Sequence, residues 1–403
     1  MKVNFKTIKN IVISVATAAT LGLTATSCTN EELQGSNNSP IQNAETMHSI
    51  SFKVQTPPAT RAEDNAASTG AAGKVKLNTG YLFFVNPQQQ ITKVVEIIPT
   101  GTALWGQVLL STLESTTGAT IDSIPGSSTH AYVVANLPAG KTIPRKNLFL
   151  SDIMDNNVIT LKEEKDLSNT VLTGNAAINK TAALWSVDIS KVAPVTARLE
   201  IGKITAVNPA GAAVNITEYT IDGIFVDGIY ETMDLNAKAD SAKTYATNWL
   251  YASNYGAPLT QDYYTVVFDT TNVANGLGNS KALIQTPSNS AKVWSYNQFA
   301  PGTDKNGAVN RTPKIIIRLN NIKTDQPTTA NYSGAYYLTV NELKDNGSGV
   351  KVSALEAGKV YHISDIKFEL QNLQPVPGQQ GVNANVKITL AQWEKFDTDV
   401  TLN

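Results

Sequence analysis

The side chains that could do chemistry are few and scattered. Three histidines, His48, His130 and His362, stand in separate segments with no Cys, Asp or Glu at metal-ligand spacing, so no metal site is expected. There is no nucleophile elbow, phosphate-cradling glycine loop or HExxH helix. Asp222 and Asp227 meet the two-carboxylate minimum for glycoside hydrolysis, but Gly223 and Gly228 beside them read as turns, and solvated turn acids account for both. The chain is therefore read as a non-enzyme without a cofactor. One bond reads instead as a substrate. In Pro57-Pro58-Ala59-Thr60-Arg61-Ala62-Glu63-Asp64, Arg61 is the only basic residue between Lys53 and Lys74. The two prolines keep this segment extended and out of a sheet interior, the presentation that a trypsin-like protease requires of its arginine. A solvated linker arginine is the plainer alternative.

The single cysteine offers a second chemistry. Lys2, Lys6 and Lys9 precede an apolar run from Ile11 to Leu23 that ends in small residues, the pattern of a secretory signal over 1–27. The run is too short and too rich in Ala and Thr to be read as a membrane span. Ala25-Thr26-Ser27-Cys28 resembles a bacterial lipobox, in which the cysteine is acylated and becomes the first mature residue, although position 25 departs from the usual leucine. Ordinary cleavage nearby, with Cys28 incidental, is the alternative, but an unpaired cysteine in an exported protein then needs another explanation. Thr29-Asn30-Glu31-Glu32 resembles the acidic surface-export signals of some Gram-negative lipoproteins.

Composition narrows the class. A chain of 403 residues is long enough for two domains, and its net charge of −1 does not suit a nucleic-acid partner. Hydrophobic residues make up 42% and charged residues only 16%, the balance being Thr, Ser, Asn, Gly and Ala, as in secreted β proteins. Leu33 to Ala44 is a polar tether. His48 to Val54 alternates, with Ile50, Phe52 and Val54 on one face of a single short strand. After the Arg61 segment and a low-complexity stretch to Gly73, strand-like runs recur: Gly80 to Val85, Ile91 to Ile98, Ala131 to Ala135, Trp185 to Ile189, Ala197 to Ile204, Ile216 to Val226, Tyr263 to Phe268, Lys314 to Leu319, Ala335 to Val340, Val360 to Leu370 and Val386 to Leu390. This spacing predicts a pair of β-sandwiches rather than βα units. Asp152 to Glu164 fits helix or strand, Thr247 to Ala252 fits a helical turn, and the preferred domain boundary is Lys191 to Pro194.

The end of the chain repeats the pattern of its isolated strand. Beyond the linker Pro375 to Gly381, Val386, Ile388 and Leu390 alternate as Ile50, Phe52 and Val54 do, and Trp393, Phe396, Val400 and Leu402 extend the apolar set. Two readings stand for the aromatic segment Trp249 to Tyr264, stacking on sugar faces or core packing. Asp122-Ser123-Ile124, Asp240-Ser241-Ala242 and Asp269-Thr270-Thr271 resemble a short O-glycosylation signal.

Cys28, Ala59-Thr60-Arg61-Ala62, Tyr81 to Val85, Thr196 to Glu200 and the tail Val386 to Asn403, in this order, resemble the fimbrillin family, the major subunits of type V pili. The resemblance implies an all-β fold: two tandem Greek-key or transthyretin-like β-sandwich domains, 62–193 and 194–381, with a C-terminal donor-strand segment, 382–403. It implies a propeptide, 28–61, whose strand at Ile50, Phe52 and Val54 is removable after an Arg-specific, trypsin-like protease cuts Arg61-Ala62. Val386, Ile388, Leu390, Trp393, Phe396, Val400 and Leu402 map onto the family's donor strand, which fills the vacated groove of the next subunit. The implied partners are other copies of the chain, accessory anchor and tip pilins, a transient outer-membrane lipid anchor, and host or bacterial surface ligands. The implied location is the outer membrane, then the cell-surface fimbrium. The alternative is a monomeric surface lipoprotein that binds glycans through aromatics such as Trp249 or Trp294.

Overall fold

The computed structural model describes residues 45–54, 75, 77–161, 163–164, 169–181, 184–227, 229–230, 232–239, 268–269, 278–281, 283–286, 293–300, 303–304, 312–326, 332, 334–377 and 381–390. Their regular structure is almost entirely strand, as the spacing of apolar runs predicts. Gly80–Val85 (β2), Ile91–Ile98 (β3) and Trp185–Ile189 (β9) form at the expected bounds. The sequence GYLFFV explains the position of β2. It is apolar on both faces, so Leu82 and Phe84 enter one core while Phe83 and Val85 enter another.

β2 is central in a six-stranded sheet ordered β10 (Ala193–Pro194), β8 (Leu172–Ala177), β6 (His130–Ala135), β2, β3 and β4 (Gln107–Leu109). The first core lies between this sheet and a three-stranded one ordered β5 (Ala119–Pro125), β1 (Met47–Val54) and β9 (Trp185–Ile189), with Leu110 and Leu113 of the short helix α1 (Leu110–Leu113) added. On the other face, Ile153 and Met154 of α2 (Leu150–Met154) and Ile159 of β7 (Val158–Thr160) join Phe83 and Val85. The stretch Asp152 to Glu164, ambiguous by pattern, thus holds the end of a helix and then a strand. β7 itself belongs to a four-stranded sheet with β14 (Thr232–Asp234), β15 (Lys238–Ala239) and β20 (Thr303–Asp304).

The second core continues into an eight-stranded sheet. Its order is β16 (Phe268–Asp269), β13 (Ile216–Asp227), β21 (Lys314–Thr324), β22 (Tyr336–Asp345), β25 (Gly381–Leu390), β23 (Lys359–Ile363), β11 (Thr196–Ile201) and β19 (Trp294–Phe299). A further four-stranded sheet is ordered β17 (Gly278–Lys281), β18 (Ile284–Thr286), β12 (Ile204–Ala206) and β24 (Ile366–Phe368). The expected single strands Ala197 to Ile204 and Val360 to Leu370 each turn a corner between these two sheets. β11 runs parallel to β23, and β12 runs parallel to β24. At the bend Gly202 donates to the Ile363 carbonyl at 2.8 Å, and a Cβ on Gly202 would lie 2.9 Å from the Ser364 carbonyl oxygen. Only glycine lets the two backbones pass so closely.

The detached C-terminal strand requires a correction over residues 381–390. β25 lies inside the eight-stranded sheet, parallel to β22 and antiparallel to β23, with Val386 fully buried and Ile388 opposite Tyr361. Alternation of apolar residues marks a half-buried strand, but it carries no information on whether the sheet belongs to the same chain.

The chain leaves the six-stranded sheet at Pro194, which has no N–H to continue a ladder, and enters the eight-stranded sheet at Thr196. Glu164, fully buried, ties this crossing together. Its carboxylate accepts from the Thr170 hydroxyl and, at 3.1 Å, from the Val171 N–H, while its carbonyl accepts from the Asn297 amide of β19 at 2.6 Å. Thr170 Oγ1 also lies 3.2 Å from Thr196 Oγ1. Burial pushes the Glu164 carboxyl up from 4.5 to about 7, so the folded state holds a proton that the unfolded chain releases. Stability from this group is therefore full below pH 4.5 and is lost as pH rises to about 7, by roughly 3 kcal/mol in total. Glu164→Gln should remove this fall, so that denaturant unfolding at pH 5 and pH 8 differs by that much less than in the wild-type protein.

Candidate functional site: the N-terminal strand in its slot

β1 lies in the interior of its sheet. Ile50 to Phe52 pair antiparallel with Ile121 to Ala119 of β5, and Ile50 to Val54 pair in parallel with Trp185 to Ile189 of β9. Both of its backbone edges are therefore engaged. The side chains follow the period of two: Ile50 and Phe52 are fully buried and Val54 is 3% exposed, while Ser49, Ser51 and Lys53 face away from the core. Phe52 meets Phe84 of β2 edge to face, with ring centroids 6.1 Å apart. The slot that β1 fills is thus floored by the most buried strand of the six-stranded sheet.

Polar contacts fasten the strand's entrance. His48 stacks on Trp185 at 3.8 Å between centroids, and Lys180 Nζ lies 4.5 Å from the same ring. Lys180 also donates to the Gly126 carbonyl, and the Gly126 N–H donates to the Thr46 carbonyl at 2.8 Å. The Ser49 hydroxyl donates to Asp122 at 2.6 Å. The Ser127 N–H donates to Glu45 at 2.8 Å, and hydrogen bonding from Ser127 holds the Glu45 carboxyl below its ordinary range. These contacts were not visible in the sequence. Gly126, Ser127, Lys180 and Trp185 carry no local pattern that points to a strand so far away along the chain.

Of the sequence-predicted sites, Ile50, Phe52 and Val54 come together in the slot, and Val386 and Ile388 lie in the eight-stranded sheet. Cys28, Arg61, Ala62, Trp393, Phe396, Val400 and Leu402 lie outside the described residues, as does Trp249 to Tyr264. For Leu390 only the backbone pairing, opposite Lys359, is described. Trp294 as a sugar platform is a correction: it is 3% exposed, packed in the second core from the edge strand β19. The histidines fall on β1, β6 and β23, and among the described residues no group of three or more His, Cys, Asp or Glu could hold a metal ion. Asp122 and Ser123 are exposed on β5, with Asp122 engaged by Ser49 of β1.

Gly118, just before β5, fits the strand closely. It adopts φ of +70°, and a Cβ there would lie 2.5 Å from the Phe52 carbonyl oxygen. Gly118→Ala should loosen β1, raising hydrogen exchange at residues 50 to 54 by about tenfold or more. Gly101→Ala, at a φ of +105° with open space around the added Cβ, carries the same kind of backbone strain without the clash and should leave β1 protected.

No protein-family model matches this chain, and no curated protein matches it. Among the solved structures to which the chain is similar, a cell adhesion protein from Parabacteroides distasonis is 12% identical, with a TM-score of 0.47 over 86% of this chain and 98% of that one. A fimbrilin from Porphyromonas gingivalis is 13% identical, with a TM-score of 0.48 over 86% of this chain and 97% of that one. A fimbrial assembly protein from Parabacteroides distasonis is 10% identical, with a TM-score of 0.38 over 82% and 94%. A tip fimbrial protein from Porphyromonas gingivalis is 12% identical, with a TM-score of 0.37 over 86% and 100%.

Proposed function

We propose that this chain is a structural subunit of a cell-surface fimbria, serving adhesion or colonisation, and that β1 is the part removed when it assembles. The observation that carries the reading is the position of β1: an interior strand, buried along one face, followed a few residues later in the sequence by Arg61, the only basic residue between Lys53 and Lys74. Taking such a strand out leaves two open backbone edges and an apolar slot, which must be filled or covered. Another strand of the same alternation fits that vacancy, with main-chain hydrogen bonds for affinity and alternate side chains for register.

Export as a lipoprotein through Cys28 holds the precursor at the outer membrane, and cleavage of Arg61-Ala62 by an Arg-specific protease frees β1 from the body of the chain. Cleavage alone does not empty the slot. Burying Ile50, Phe52 and Val54 contributes about 5 to 9 kcal/mol gross, so the strand stays until an incoming strand displaces it. Before the cut, the covalent link keeps β1 at a high effective concentration beside its slot. Afterwards a displaced β1 diffuses away. We take 391–403, with Trp393, Phe396, Val400 and Leu402, as the donor segment, because residues 381–390 already pair as β25 in the eight-stranded sheet. Because donor and slot are different surfaces, the contact is heterologous and propagates as a filament, with anchor and tip subunits at its ends.

Purified precursor treated with an Arg-specific protease should acquire Ala62 as its new N-terminus and form filaments visible by electron microscopy. Arg61→Ala should resist both steps. If the variant assembles as well as the wild type, strand release is not the trigger. Deleting residues 391–403 should permit cleavage but abolish filaments. Undiminished filaments from the truncated chain would contradict the donor assignment.

A further inference from the structure

A polar cleft of about 680 Å³ opens where the corner between the eight-stranded sheet and the β12–β24 sheet meets the outer face of β25. Its charge is one-sided. Lys203, Lys367 and Lys387 line it against a single carboxylate, Asp365. That carboxylate is already engaged, since one oxygen accepts from the Thr205 hydroxyl at 2.7 Å and the other lies 3.5 Å from Lys203 Nζ. His362, paired in register with Lys387, stands at the wall with its Nδ1 3.4 Å from the buried Glu200 carboxylate.

The remaining wall is built of amides. Asn383 and Asn385 are exposed on β25, alternating with the buried Ala384 and Val386, and Lys387 continues the same face. Alternate residues on a strand stand about 7 Å apart, so these three side chains span on the order of 13 Å, about the length of two sugar rings. Asn346 faces them from the turn after β22, where its N–H donates to the Val386 carbonyl at 2.9 Å. Each amide offers both donors and an acceptor, which matches vicinal hydroxyls. The only apolar residue on the lining is Ala384. The volume is in the range of small-molecule sites and far exceeds that of an inorganic anion.

We infer that this cleft binds a carboxylate-bearing sugar, one or two residues of an acidic saccharide, with the Lys367 ammonium group on the carboxylate and the asparagine amides on the hydroxyls. The cleft is complete within one chain, so the inference does not rest on assembly. It is tested by calorimetric titration of the full-length chain with a hexuronic acid disaccharide, a neutral glucose disaccharide and inorganic sulfate. The acidic disaccharide should bind saturably, the neutral one at least about tenfold more weakly, and sulfate at equal concentration should not displace the sugar. Lys367→Ala and Asn383→Ala, both at exposed positions, should each weaken binding by about tenfold while leaving the unfolding midpoint unchanged. Lys323→Ala, whose partner Glu218 lies on β13 and outside the lining, should bind as the wild type. The inference is overturned by absence of saturable binding, by equal binding of the neutral sugar, by displacement with sulfate, or by wild-type affinity in both cleft variants.

Discussion

A strand inside a sheet satisfies backbone groups on both of its edges, and the rest of this architecture is arranged around one such strand, β1. Its two neighbours come from different parts of the chain, β5 in antiparallel pairing and β9 in parallel pairing. Without β1 these neighbours would form two separate edges over an apolar floor. The strand therefore closes the first core as well as its own sheet. It is also joined to the body on its C-terminal side only through residues that precede Val75, the region that holds Arg61. A covalent break there leaves every hydrogen bond of β1 in place and changes only its tether. The physical distinction between a strand that is held and a strand that is attached makes a proteolytic trigger workable.

The two cores would make the proposed exchange compatible with a stable body. β2 is buried on both faces, so the layer beneath the slot is anchored from behind by α2, β7 and the second core. The crossing at Val195 is tied by Glu164, Thr170, Thr196 and Asn297, groups that are buried and mutually hydrogen-bonded. Such networks cost desolvation and return geometry. A comparable bargain is seen on β11, where Arg198 and Glu200 pair at 2.8 Å at almost complete burial. Buried ion pairs are poor sources of net stability but are severely missed when one partner is removed, which makes the register of β11 between β19 and β23 hard to shift.

Much of the strand inventory was legible because the period of two survives in sequence: β2, β3 and β9 form at the bounds their patterns predict, and Ile50, Phe52 and Val54 point inward together. What the pattern cannot encode is partnership. The phase of the alternation shifts between Ile201 and Ile204 and between Ile363 and Ile366, but a phase shift alone does not say that a strand passes from one sheet to another, as β11 into β12 and β23 into β24 do. β25 carries the same pattern as β1, yet only the fold places it between β22 and β23. Trp294 looked available as a platform because aromatic residues suit surfaces and cores equally, and the pairing of β19 with β11 put it in the core. The fastening of β1 by Asp122, Ser127, Lys180 and Trp185 arises from tertiary contacts among unremarkable residues.

If β1 leaves the chain during assembly, the N-terminal residue of the mature protein on the cell surface reports it directly. Protein recovered from surface filaments should begin at Ala62, with residues 45 to 54 absent from its mass. Mature protein that begins at Cys28 and retains β1 would contradict the account.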